Sequence, residues 1–349
     1  DGTTNLDVVD IDGAVDMAST LGVTGDSTFA GKVITSSSSS GDYIRIYGSG
    51  GTGKWDIYGS GANLRFSDNE SAGYVQIDTG LGVTGDLFST TSGTSNFRAG
   101  VNAGNSIASG GNYNVFVGDE AGTAITTGDS NVAIGWEALK NEDGNGTNVA
   151  VGTSALFVLN AGADGYNTAV GYQTGAATTV GLRNTLVGAL AGDALTDADD
   201  NVAMGTSALS SDTLGSRSVA IGKEALFAQN FTTATNTYNT AVGAFAGNAV
   251  TTGINNTLLG GLTGDALTTG SHNTALGQGA LTTDDLGSHT VAVGYGSLAS
   301  QNYATATNSY NTAVGSNAGY AITTGTANTL IGAQAGDALT TGINNVAIG

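Results

Sequence analysis

Two histidines occur in the chain, His272 and His289, and they stand seventeen residues apart. If the chain coils with that period, one imidazole lies above the next. Several chains together could then ring a metal. The same register position carries Arg183, Asp200, Arg217 and Asn255 in other repeats. Such variety indicates an exposed turn, and no carboxylate or thiolate stands at ligand spacing beside the histidines. No metal is expected. Asp193, Asp265 and Asp337 recur every 72 residues. On stacked coils that is too far for a catalytic carboxylate pair, which needs roughly 5–10 Å. There is no cysteine to serve as nucleophile or soft ligand, and no Ser–His–Asp set can be assembled on one coil. Gly48 to Gly53 with Lys54 lacks the spacing and the following helix of a phosphate loop. The chain is therefore expected to be no enzyme and to need no cofactor.

Aromatic residues are better candidates for binding. Tyr166, Tyr238 and Tyr310 each sit just before a repeated asparagine. Phe231 and Tyr303 lie in two longer loops, 228–238 and 300–310, and 159–166 is a shorter relative. Loops escape the repeat geometry and are free to specialise. Tyr238 and Tyr310 would stand one four-coil unit apart, about 19 Å, and repeated pockets would give avidity. The competing reading is that these tyrosines only cover a widened coil. Nearer the start, Trp55 and Tyr58, with Tyr43 and Tyr47, could make a sugar-stacking platform. Alternatively they pack a small β-module.

The elements that position these residues are set by one repeated box. From Asn114 onward the pattern is Asn, Thr or Val, a small or apolar residue, Val/Ile/Leu, then Gly. Fourteen copies end at glycines from Gly118 to Gly349, mostly 17 residues apart, with one step of 19 and two of 21. Gly171, Gly243 and Gly315 are each 72 apart, so three coils of 17 and one of 21 form a larger unit. The box is short, β-branched and closed by glycine, which describes a strand ending in a turn. Coils that return every 17 residues stack their strands in parallel about 4.8 Å apart. The stack would be on the order of 65 Å long.

Box residues two and four share a strand face, and the middle Ala or Leu takes the other. Both faces are apolar, as in a strand buried on both sides. One face can fill the coil interior. The other needs a cover that a single thin coil cannot supply, which points to further chains. The box asparagines Asn131, Asn148, Asn167, Asn184, Asn201, Asn239, Asn256, Asn273, Asn311, Asn328 and Asn345 are expected to form a hydrogen-bonded structural ladder. Ser218 and Thr290 interrupt it.

The remaining composition agrees. The chain has 57 glycines, no proline, and 11% charged residues, well below the usual quarter. Its net charge of −20 disfavours nucleic acid and anionic lipid as partners. No apolar run reaches the roughly 20 residues of a membrane helix. No leader is evident, and the sequence reads as a piece of a longer protein. Residues 1–40 read as a fibre shaft segment, 41–80 as a small β-knob, 81–113 as a connector, and 114–349 as the repeat domain. Within the knob, short strands are expected at 43–47, 55–58, 64–66 and 74–77, and the run Ser36 to Ser40 reads as a joint.

Boxes such as Asn201-Val202-Ala203-Met204-Gly205 resemble the head repeats of trimeric autotransporter adhesins. The longer run Asn311-Thr312-Ala313-Val314-Gly315-Ser316-Asn317-Ala318-Gly319 is still more similar to repeats in tail fibres of tailed phages, as is the opening from Gly2 to Asp12. The resemblance implies a left-handed parallel β-roll, a homotrimer, and attachment to a host-surface glycan or protein. It also implies a place in the virion tail, outside the cell, beside other tail proteins. The expected fold is thus all-β: a trimeric parallel β-solenoid of about 17-residue coils after a β-rich shaft with a small knob. Alternatives are a bacterial trimeric surface adhesin and an ice-binding β-solenoid. The latter needs flat threonine rows, and pairs such as Thr251-Thr252 and Thr268-Thr269 give only partial ones. A depolymerase would require release of sugar from host polysaccharide.

Overall fold

The computed structural model describes residues 43–47, 54–60, 63–68 and 92–349. The chain divides into two units, Asp1–Gly85 and Asp86–Gly349. In the first, Tyr43–Tyr47, Lys54–Ser60 and Asn63–Asp68 form an antiparallel sheet in that order. These are three of the four strands expected in the knob. The fourth, at 74–77, lies outside the described residues, as do the shaft segment 1–40 and the connector up to residue 91. The register pairs Tyr43 with Tyr58 and Ile46 with Trp55. The platform expected of Tyr43, Tyr47, Trp55 and Tyr58 rests on side chains outside the described part of the structure.

The second unit is a parallel β-solenoid. Fifteen three-residue strands form one sheet, each paired in register with the next coil's strand, from Phe97–Ala99 to Val346–Ile348. Among the described residues no helix occurs. The stack begins one coil earlier than the box pattern indicates. Asn96-Phe97-Arg98-Ala99-Gly100 is a degenerate box, with Arg98 where the others place Ala, Leu or Phe. Its guanidinium donates to the Gly104 carbonyl at 3.0 Å.

Each coil closes through residues in the left-handed backbone region: one before the box asparagine, one two places after the box glycine, and one four places after it. The box glycine itself adopts φ between 127° and 143°. At Gly243 a Cβ would lie 2.5 Å from the Gly260 carbonyl of the next coil, so only glycine permits the 17-residue stacking there.

The middle box residue points inward and is fully buried, for example Ala241, Leu258 and Ala275. Its size is matched to the residue four places after the box glycine. Leu258 is flanked by Gly247 and Gly264, whose added Cβ atoms would lie 2.7 and 2.9 Å from its methyl carbons. Ala203 and Ala220 carry the buried Leu209 or Leu226 at that position, and where an Ala centre carries glycine there, as Ala241 does with Gly247, the next coil's centre is a leucine, Leu258. The Gly/Leu alternation is therefore a size code that keeps a narrow core filled to close packing. Phe116, flanked by Gly104 and Gly122, obeys the same rule.

Among the described residues the outer face of the sheet is left uncovered. Ile134, Met204, Leu276 and Ile331 at the fourth box position are 37–44% exposed.

Candidate functional site

The residue before each box asparagine projects from the coil in the left-handed conformation, and successive coils align these residues in one lateral ladder. It runs Tyr166, Arg183, Asp200, Arg217, Tyr238, Asn255, His272, His289, Tyr310. All nine side chains reach solvent, with Tyr166, Tyr238 and Tyr310 at 60, 52 and 59% exposure. Non-glycine residues with positive φ are costly and concentrate at functional sites. Here the fold imposes that conformation in every coil, so strain alone singles out no member.

Neighbours in the ladder interact one coil apart. Arg183 donates through Nε to Asp200 at 2.6 Å and through its terminal nitrogen to Asp199 at 3.0 Å. The guanidinium holds the Asp200 carboxyl below the usual carboxylate range. Arg217 donates to the Tyr238 phenol at 2.8 Å. His272 and His289 stack with centroids 4.8 Å apart and planes 9° from parallel, and Tyr310 continues the stack at 5.4 Å. Among the described residues no group of three His, Cys, Asp or Glu side chains could hold a metal. The ladder presents π-faces, guanidinium and phenol edges at coil spacing, groups that suit sugars, aromatics or acidic chains.

The other aromatic candidates lie elsewhere. Phe231 and Tyr303 are 7 and 4% exposed and pack inside the widened coils. The Tyr303 phenol donates to the Gly325 carbonyl at 2.8 Å and accepts from Asn311 at 3.2 Å, and burial pushes its pKa up. These two position the loops. Within the loops 228–238 and 300–310 the exposed aromatics are Tyr238 and Tyr310.

The asparagine ladder is buried and structural. The Asn256 amide donates to the Gly270 carbonyl at 2.9 Å, and its Oδ1 accepts the Asn273 backbone N–H at 3.0 Å. The same two-way pattern joins Asn131, Asn167, Asn184, Asn201, Asn311 and Asn328 to neighbouring coils, with bond distances of 2.7–3.0 Å; Asn148 accepts from Asn167 but donates within its own coil to Gly146, and Asn345 on the last coil donates to Asn328 Oδ1. Asn239 donates to the Gly253 carbonyl and accepts from Asn256.

At Ser218 and Thr290 the ladder breaks, and there the long coils are inserted. Asp284, fully buried, accepts the Gly287 N–H at 2.9 Å and the Gln301 amide at 2.6 Å. Gln301 also donates to the Thr290 hydroxyl at 3.1 Å and accepts from Asn311 at 2.8 Å. Asp212, Gln229, Ser218 and Asn239 repeat the network one unit earlier. Glu142 plays the same part before the 19-residue coil, binding Asn145 and the Ala161 N–H. Desolvation raises the pKa of Glu142 and lifts that of Asp284 to about 6. Sequence inspection missed these acids. Their signal was available: seven residues after the box glycine other coils place Ile125, Leu195, Leu267 or Ile322. An acid on that core column appears only at 142, 212 and 284, each time one coil before a longer loop.

Comparison with protein-family models, with curated proteins and with solved structures finds no match. The fold and site by themselves define the class: a parallel β-solenoid repeat protein, compatible with a repeat fibre, carrying a lateral ladder of exposed side chains.

Proposed function

We propose that the chain is a structural and adhesive segment of a homotrimeric fibre, of the phage tail-fibre kind, that attaches to a host-surface glycan or protein. On this reading it works outside the cell, joined to other tail proteins, without a cofactor, nucleic acid, membrane insertion or catalysis of its own. The carrying observation is the sheet's outer face. Ile134, Val170, Met204, Leu276, Val314 and Ile331 expose a continuing apolar column that the described residues leave uncovered. Repeating apolar surface of this extent marks an interaction face. A second copy carries the same column at the same coil spacing, so sister chains match it coil for coil. The ladder of Tyr166, Tyr238 and Tyr310 stands apart from the box residues and offers repeated contacts, which multiply weak affinities into avidity. The fold also suits a fibre, since each coil needs only its neighbours.

The test is mass in solution, by light scattering and native mass spectrometry. A trimer of the 34.3 kDa chain is expected; a stable, folded monomer would remove the proposal. Binding to host cells is then measured for Tyr238→Ala combined with Tyr310→Ala. Loss of adhesion with the trimer intact is expected, and unchanged adhesion would clear the tyrosines of that role.

A further inference from the structure

We infer that the coils around residues 278–320 hold a binding pocket for a single pyranose ring, built by two side-chain deletions in the repeat. The residue two places after the box glycine is non-glycine in twelve of fourteen coils and holds φ between 51° and 60° in each. The exceptions are Gly279 and Gly296, in consecutive coils. Conformation does not require them, because Gln173, Phe245 and Gln334 adopt the same geometry in the same column. Packing does not require Gly279 either, since nothing lies within 4 Å of a Cβ added there. The missing side chains leave a concavity of about 190 Å³. That is below the roughly 300–1,000 Å³ of drug-sized sites and suits one ring.

The walls have the chemistry a sugar needs. Tyr295 and Tyr320, 60 and 49% exposed, flank the floor and offer aromatic faces to the C–H side of a ring. Gln278 and Thr282 also line it, the Thr282 hydroxyl donating to the Asp265 carboxylate at 2.5 Å and keeping its lone pairs to accept, and the Asn317 amide oxygen stands 2.5 Å from the Cβ position of Gly296. Among the described residues the amides of Gln278 and Asn317 make no hydrogen bond, so their donors and acceptors can meet ring hydroxyls. No strong charge lines the concavity, which favours a neutral ring over an anion.

Repetition alone does not generate the pocket. One unit earlier, 72 residues back, Gly279 and Gly296 correspond to Ser207 and Glu224, and Tyr295 and Tyr320 to Lys223 and Asn248. There Lys223 pairs with Glu224 at 3.2 Å, and Asn248 donates to the Glu224 carbonyl. The fold closes equally well with the space filled.

The pocket rests on the attachment reading only for its biological purpose; sugar binding itself is measured apart from adhesion. The experiment is saturation-transfer NMR on the full assembled chain with methyl α-mannopyranoside, methyl β-galactopyranoside and N-acetylglucosamine, and with acyclic sorbitol as control. Transfer to at least one pyranose and none to sorbitol is expected. Gly279→Gln restores a side chain the column already tolerates and should cut transfer at least about fivefold. Tyr295→Ala with Tyr320→Ala, both at exposed positions, should do the same. Tyr238→Ala with Tyr310→Ala should leave transfer unchanged. No transfer to any of the three rings, equal transfer to sorbitol, or transfer indifferent to Gly279→Gln would each overturn the inference. Host-cell adhesion, assayed in parallel, reports on the attachment reading separately.

Discussion

Asp284 should make the long-coil segment more stable in mild acid than at neutral pH. The side chain is fully buried, and desolvation, the largest influence on it, raises its pKa from 3.8 to about 6. Hydrogen bonds from Gln301 and the Gly287 N–H offset only part of that burial. Because the folded-state value lies above the unfolded one, the native carboxyl keeps its proton between about pH 4 and 6 while the unfolded chain has released it. Its stabilisation is therefore complete below about pH 4 and is lost as pH rises through about 6. A shift of that size corresponds to about 3 kcal/mol at roughly 1.4 kcal/mol per unit, or about a hundredfold in the local opening constant. Relief of general repulsion confounds the wild type alone, since the chain carries 29 acidic residues against 9 basic ones. The informative quantity is the difference from Asp284→Asn, which keeps an acceptor for Gly287 but cannot titrate. Hydrogen exchange of a peptide spanning 282–302, corrected for chemical exchange, measures it. Wild-type protection should fall by about a hundredfold more than the variant's between pH 4 and 7. Equal pH profiles for the two proteins would refute the argument.

Three further outcomes follow from the packing. Leu258→Ala should cost about 2–5 kcal/mol, because Gly247 and Gly264 give the cavity nothing to collapse onto; chemical denaturation with local exchange readout checks it. Asn256→Ala should cost about 2–4 kcal/mol by stranding the Gly270 carbonyl and the Asn273 N–H, with exchange rising first at residue 273. Leu276→Asp on the exposed outer face should leave each coil folded, by circular dichroism, while shifting the assembled mass toward the monomer.

The repeat made much of the fold legible in advance. A β-branched triplet closed by glycine every 17 residues fixes strand length, parallel pairing and register, and all of these appear in the fifteen-stranded sheet. The asparagine ladder was equally legible, because one polar residue recurring with the fold unit must find its partners in adjacent coils. The first coil was not, since Phe97 and Arg98 depart from the box although backbone pairing with Val115 and Phe116 is unaffected. A parallel ladder reads backbone groups, so a degenerate box can still pair.

For the sites the balance differs. That Tyr166, Tyr238, Tyr310 and the histidines share one register position could be counted from the chain. Their exposure, and the burial of Phe231 and Tyr303 only a few residues away, could not, because it depends on which way a widened coil folds back.

The sequence by itself determined the coil period, the strand positions, and the stacking of like residue upon like. Spacing along a chain translates directly into register when every contact is with the neighbouring coil. Only the tertiary structure decided which face of the box is core, that buried acids at 142, 212 and 284 carry the longer loops, and that two absent side chains open a hollow beside Tyr295. Those outcomes depend on burial and on empty volume, which arise when distant residues close round a space.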